Sequence, residues 1–490
     1  MPALRKKPLP PTFWVTSEKL IQQILWVGLF AVLGPLLGPK SYGVFALAMA
    51  AYAWLEAIFT DAIGEALLLV REPSDSHYGV ANLANVGASI IASALVFLAG
   101  FPLSVVVKDP DFLWVMAALS PIPVLGALSA APVAYLKRKM QFQQFALRSI
   151  LGLSLGGAAG VAVALAGGGV WALVAQILTQ RAAETAILWA ASRRILRFEW
   201  HGRAFDDLYR CALSVALARS WTWVAALAPR VIIASVIGPT ALGLFTIAAR
   251  ISDLMCQILL YPATHVAHLK FLRLHGDPAA ISDAFEALLG RLALVAFPLA
   301  LGLAAVSQPL FQTWLGPKWA GAVVATQLMA LTILPWTIFY AASALFMGLR
   351  VFWLDQRIQL GLAITTFAAA AIAAPFGLNA TCAALFLRLA LLMLLPIAFF
   401  KIHAQVGLSV LVRALAGPTI AAGVMALAVT AAVPLASAHL GGLLALPVLV
   451  SLGGGLYVGG VLVLAPGHVR SLLDDAWDMA PARLRTAAGR

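Results

Sequence analysis

Residues 38–48 read GPKSYGVFALA, and residues 238–248 read GPTALGLFTIA. Five of the eleven positions are identical, and Val/Leu and Leu/Ile exchanges fill two more. Gly and Pro end helices anywhere, so either turn taken alone is punctuation. Matched in position and in the long apolar runs that flank them, the pair reads as an internal duplication. A duplicated, hydrophobic chain that crosses a membrane many times points to a transporter rather than to a membrane enzyme.

Composition agrees with a lipid environment. The 490 residues are 62% hydrophobic and 11% charged, against about 45–50% and about 25% in an ordinary soluble domain. The net charge of +13 lies in short clusters between apolar runs, which marks topology and gives no reason to expect nucleic acid. Cys211, Cys256 and Cys382 are far apart and lack metal-ligand spacing, and the histidines form no HExxH-like cluster. No metal, cofactor or catalytic residue is expected. The opening MPALRKKPLPPTF is basic and Pro-rich, but the apolar stretch after it is long and lacks a small-x-small cleavage site. It reads as a retained first helix.

A spanning helix needs about 20 mostly apolar residues. Such runs centre near 17–37, 43–69, 80–106, 112–136, 146–167, 170–191, 209–236, 242–271, 287–308, 320–347, 357–375, 378–400, 413–433 and 441–465. That predicts an all-α integral membrane protein of about 14 transmembrane helices. The runs are too long, and too little alternating, for barrel staves. With the N-terminus in the cytoplasm, 24 of the 33 Lys and Arg fall in inner segments, and only Lys40, Lys108 and Lys318 fall outside. Such asymmetry sets both termini inside. The outer connections are short and leave no room for a catalytic loop.

Both Gly-Pro turns then lie outside, and an even number of helices separates them, so the two halves share one orientation. GVWAL from Gly169 and GLNAT from Gly377 give a weaker echo. The expected organisation is an N-lobe of helices 1–6 (residues 1–197), a C-lobe of helices 7–12 (198–405), and helices 13–14 with a cytoplasmic tail (406–490).

The run LLGPKSYGVFALAMAAYAWLEAIFTDAIGEALLLVR resembles the helix 1–2 segment of the polysaccharide-transporter (Wzx-type) flippases. YLKRKMQFQQFALR, GGGVWALVAQ, PRVIIASVIGPTALGLFTIAARISDL and WLGPKWAGAV resemble later segments of the same family, so the likeness runs from about residue 20 to 400. The resemblance implies the fold of the multidrug/oligosaccharidyl-lipid/polysaccharide exporter superfamily, a MATE-like fold. It implies a bacterial inner-membrane flippase that moves undecaprenyl-diphosphate-linked oligosaccharide to the outer leaflet for exopolysaccharide, capsule or O-antigen assembly. Membrane lipids, a polysaccharide polymerase and chain-length proteins are the partners it implies. One departure stands out. The family often carries Asp before the helix 7 arginine, whereas Pro229 precedes Arg230 here.

An ionised side chain at mid-bilayer costs from a few to more than ten kcal/mol, so it faces a wet cavity or a partner. Arg181, Arg219, Arg230, Arg250 and Arg388 all fall inside proposed spans. Guanidinium forks suit diphosphate oxygens, and a cationic cavity between the lobes is expected, with Arg219, Arg230 and Arg250 as first choices. Arg181 has Glu184 as a local alternative partner, and Arg250 has Asp253. Glu56, deep in helix 2, and Asp61 are the candidates for ion coupling, with a helix-end structural role for Asp61 as the competing reading. Two other functions compete: a multidrug/cation antiporter of the same superfamily, whose site should be dominated by acids, and a membrane glycosyltransferase or polymerase. The latter needs paired acids on a substantial loop, and Asp206-Asp207 and Asp474-Asp475 are isolated pairs.

Overall fold

Long apolar runs with few breakers fold as helices wherever lipid offers the backbone no hydrogen-bond partner. The computed structural model follows that rule: among the described residues (11–70, 72–192, 198–274, 277–403 and 406–470) every regular element is a helix. The chain divides into two compact units, Met1–Gly243 and Leu244–Arg490.

The first unit holds α1 (Pro11–Glu56), α2 (Ala62–Leu69), α3 (Asp75–Val107), α4 (Phe112–Leu119), α5 (Ile122–Arg138), α6 (Phe142–Leu165), α7 (Trp171–Ala191) and α8 (Gly202–Val236). The division falls inside α9 (Pro239–Met255). The second unit continues with α10 (Tyr261–Arg273), α11 (Pro278–Leu310), α12 (Ala322–Leu331), α13 (Ile333–Gly348), α14 (Phe352–Ala373), α15 (Leu378–Leu392), α16 (Leu394–His403), α17 (Leu408–His439) and α18 (Gly441–Leu464). Eleven helical stretches among the described residues are long and apolar enough to cross a membrane. One of them, Ser17–Leu69, has 53 residues and breaks at Gly38, where φ is 74°.

Several backbone features recur at a spacing close to that of the two Gly-Pro turns. Left-handed residues occur at Gly38 and Gly238, Lys108 and Gly316, Met140 and Arg350, and Gly169 and Gly377, each pair roughly 200 to 210 residues apart. Single π-turns interrupt the helices at Ala57–Asp61 and Cys256–Leu260, about 200 residues apart, and a third lies at Phe311–Leu315. The turn at Met140 closes with Gln141 N–H donating to Leu136 O, and the turn at Arg350 with Val351 N–H donating to Phe346 O. Left-handed and π residues cost energy in an L-chain. Four pairs of positive-φ positions thus recur at nearly constant spacing, while Gly167, with φ 80°, stands outside the series.

Within the first unit the strongest packing joins α6 to α7. Gly152, Gly156 and Gly160 recur every four residues and form a groove in α6. A Cβ on Gly156 would come within 2.5 Å of the Gln176 carbonyl, and one on Gly160 within 2.9 Å of Gln176 Cβ. Small residues let two backbones close on each other in lipid, where no hydrophobic drive between helices exists. The two Gly-Pro turns also meet here. A Cβ on Gly43 would overlap the Pro239 carbonyl oxygen, and one on Gly243 would overlap that of Pro39. Lys40 closes this end with a 2.7 Å ion pair to the buried Asp109.

The second unit is knit differently, around aromatic rings. Phe271, Phe285, Phe346 and Phe400, from α10, α11, α13 and α16, are all buried in one cluster, with Phe285 and Phe400 centred 4.8 Å apart. At the start of α17, Arg413 reaches Glu286 of α11 at 2.8 Å.

Candidate functional site

The first unit contains a cavity of about 240 Å³ whose charged lining is Glu56, Glu65, Lys137, Arg148, Arg181 and Glu184. These six come from α1, α2, α5, α6 and α7, so the cavity exists only once the helices have packed. Arg181 stands in its wall between two carboxylates. One Nη is 3.5 Å from Glu56 Oε2, and the other is 3.9 Å from Glu184 Oε2. Glu184 also accepts from Gln180 Nε2 at 2.9 Å. Charges withdrawn from water need partners of this kind, since a lone one carries a desolvation cost of several kcal/mol.

Two glycines make room for the pair. A Cβ on Gly126 of α5 would lie 2.8 Å from Glu56 Oε1, and one on Gly152 would lie 2.5 Å from Glu184 Cγ. The helix carrying Arg181 is fixed against α5 by polar contacts. The Ser129 and Thr185 hydroxyls meet at 2.9 Å, and Trp189 Nε1 donates to Leu128 O at 3.0 Å.

The rim is cationic. Lys137 Nζ lies 5.6 Å and Arg148 Cζ 4.3 Å from the centre of the Phe145 ring. Glu18 lies beside Ser149 and within electrostatic reach of Arg148 and Glu184. Arg138, next to Lys137, turns away and donates to the Leu68 and Val70 carbonyls at the end of α2.

The expected site residues are distributed unevenly. Arg181 and Glu56, weighed separately on sequence grounds, are brought together. Arg230 folds back on its own helix, donating from Nη1 to Ala226 O at 2.6 Å. Arg250 lies within electrostatic reach of Asp253, its local neighbour. Arg388 donates to Leu362 O of α14 at 3.1 Å and approaches Thr365 Oγ1 at 3.5 Å. The side chains of Arg219 and Asp61 lie outside what the structure describes. Sequence reasoning missed Lys137 and Arg148, because both were accounted for by the charge asymmetry of inner segments. The spacing of Phe145 and Arg148, three residues apart on one helical face, was the available signal.

The balance of charge is also informative. Three acids and three bases line this cavity, so it is neither the acid-dominated site of a cation antiporter nor a purely cationic chamber. Among the described residues no group of three or more His, Cys, Asp or Glu is placed to hold a metal ion.

The family model described as polysaccharide biosynthesis protein matches residues 32–324. The chain belongs to that family. The match takes in both Gly-Pro turns and the whole charged cavity. The succinoglycan biosynthesis transport protein ExoT of Rhizobium meliloti (strain 1021) is 26% identical over 306 residues, 61% of this chain and 61% of the relative. The chain thus spans about three-fifths of that relative's length. The teichuronic acid biosynthesis protein TuaB of Bacillus subtilis (strain 168) is 20% identical over 339 residues, 68% and 69% of the two chains. Among solved structures, lipid II flippase MurJ in an inward closed conformation aligns with a TM-score of 0.73 at 11% identity, covering 94% of this chain and 99% of that one. An inward-facing MATE family multidrug resistance transporter of the MOP superfamily aligns at 0.60 and 14% identity, covering 78% and 94%. At such identities the likeness is one of fold. This polysaccharide biosynthesis protein is therefore a multi-pass membrane protein with the helical architecture shared by those transporters.

Proposed function

We propose that the protein is a flippase, not an enzyme, that carries undecaprenyl-diphosphate-linked oligosaccharide from the cytoplasmic to the outer leaflet of the bacterial inner membrane. The observation that carries this reading is a polar, charge-lined cavity inside a membrane unit of a polysaccharide biosynthesis family member. A hydrophilic head group crosses as a solvated guest in such a cavity while the polyprenyl tail stays in lipid, and access alternates between the two faces. Diphosphate is the natural anion for guanidinium forks, and sugar hydroxyls find acceptors in Glu56, Glu184 and Ser129. Arg219, Arg230, Arg250 and Arg388 are assigned as further cargo contacts, and Glu56 and Asp61 as the coupling groups. The product feeds exopolysaccharide, capsule or O-antigen assembly, with a polymerase and chain-length proteins as partners.

The topology proposed with it has fourteen spans, with both termini cytoplasmic. Ser17–Leu69 supplies two of them, because its 53 residues exceed twice the roughly 20 that one span needs. The polar α7 and the long α8 supply two more. Helices 1–6 and 7–12 form the duplicated lobes, with helices 13–14 appended. The registered recurrence of left-handed residues and π-turns supports that division.

Deleting the gene should abolish surface polysaccharide and leave lipid-linked oligosaccharide on the inner leaflet. Reintroducing the wild-type gene should restore export, and Arg181→Ala should not. Unchanged surface polysaccharide in the deletion strain defeats the proposal.

A further inference from the structure

Three consecutive cations end α5, and they have three different fates. Arg138 satisfies the last carbonyls of α2, and Lys139 sits 5.8 Å from the Tyr135 ring. Lys137 alone lines the cavity. From the adjacent helix Arg148 reaches the same ring, Phe145, that Lys137 approaches. The two cationic centres are therefore no farther apart than those two ring distances laid end to end.

Neither cation is committed to a close ion pair. Among the described residues, the ion pairs of the cavity belong to Arg181, and Lys137 and Arg148 form none. The Arg148 Nε is buried and has no hydrogen-bond partner. Glu18 and Glu184 act on Arg148 only through space. A buried guanidinium nitrogen left unmatched beside a second cation calls for an anion, since each unsatisfied charged donor costs free energy. Both cations lie within cation–π range of the one Phe145 ring. Two cations from two helices, one of them a planar fork, fit an anion with two phosphoryl groups better than a single point charge.

We propose that Lys137 and Arg148, both within reach of the Phe145 ring and both lining the first-unit cavity, form the capture site for the diphosphate of the cargo. The inference rests on the flippase reading and gives its cavity an order of events. The diphosphate docks first on the two uncommitted cations. Arg181, already held by Glu56 and Glu184, is reached only by displacing carboxylates.

Calorimetric titration of inorganic pyrophosphate into the purified full-length protein tests the site. Lys137→Gln with Arg148→Gln should weaken pyrophosphate at least tenfold, and Arg148→Lys should weaken it less. Lys139→Gln, which removes the same charge outside the cavity, should leave binding unchanged. If the double variant fails to fold, Lys137→Gln alone, at an exposed helix end, should still weaken binding several-fold. Equal affinity in wild type and variants overturns the capture site. Full displacement of pyrophosphate by phosphatidylglycerol vesicles, with none by phosphatidylcholine vesicles, overturns it in favour of an ordinary lipid phosphate. Surface polysaccharide is scored in parallel in cells carrying Gly126→Leu, which fills the cavity. Lost export there, with pyrophosphate indifferent to Lys137, removes the capture site and leaves the flippase standing. Lys137-dependent pyrophosphate binding with full export in both the Gly126→Leu and the Lys137→Gln strains removes this cavity from transport instead.

Discussion

Glu56 and Arg181 are 125 residues apart in the chain and 3.5 Å apart in space. Their meeting depends on Gly126, whose missing side chain leaves the place that the carboxylate occupies. Gly126→Ala should push Glu56 away from Arg181 at an overpacking cost on the order of 1–3 kcal/mol. Export should fall while the protein still reaches the membrane, which surface polysaccharide and membrane fractionation measure together. Arg230 gives a contrasting case. It spends one donor on Ala226 O, and Arg230→Ala should leave insertion intact but stop polysaccharide from appearing outside. Normal surface polysaccharide in that variant excludes Arg230 from the transport path. The charged residues inside spans were readable from the sequence because charge in an apolar run is conspicuous. Their partners were not, since nothing in a linear pattern says which faces of α1, α5 and α7 will meet.

At the scale of elements, α6 and α7 show how a polar helix survives in a membrane protein. Gln176, Gln180 and Glu184 follow one face of α7, and the glycines of α6 approach that face closely. Gly156→Leu should separate the two helices and lower the melting temperature of the purified protein by several degrees, by the usual conversion of roughly 2–4 °C per kcal/mol. Gly87→Ala is the matched control. A Cβ there meets nothing within 4 Å, and replacing glycine in a helix gains about 0.5–1 kcal/mol, so stability should hold or rise. Equal destabilisation by both substitutions would show that the glycine groove is not what joins the helices. Hydropathy located α7 as a run of suitable length. It did not foresee that its polar residues would be spent on packing and on Arg181 rather than on solvent.

At the scale of the molecule, the proposed outer and inner sides rest on charge asymmetry. Single cysteines placed at Lys40 and at Lys318, in a background without the three native cysteines, should react with a membrane-impermeant maleimide applied to intact cells. Cysteines at Lys139 and at Arg350 should react only after the membrane is opened. The reverse pattern would invert the topology. The recurring turns were legible because turn residues are few and chemically specific, and Gly38 and Gly238 both take positive φ. The companion pairs Lys108 with Gly316 and Met140 with Arg350 share no residue type. They are matched by backbone conformation alone.

That mismatch has an outcome for how such a protein can change. Several bends of the chain recur, but the acid that precedes the first π-turn does not. Glu56 stands just before the π-turn at Ala57–Asp61, and Met255 stands just before the one at Cys256–Leu260. Under the proposed function, a new head group would then call for exchanged side chains at such a bend and leave the bend itself as it is.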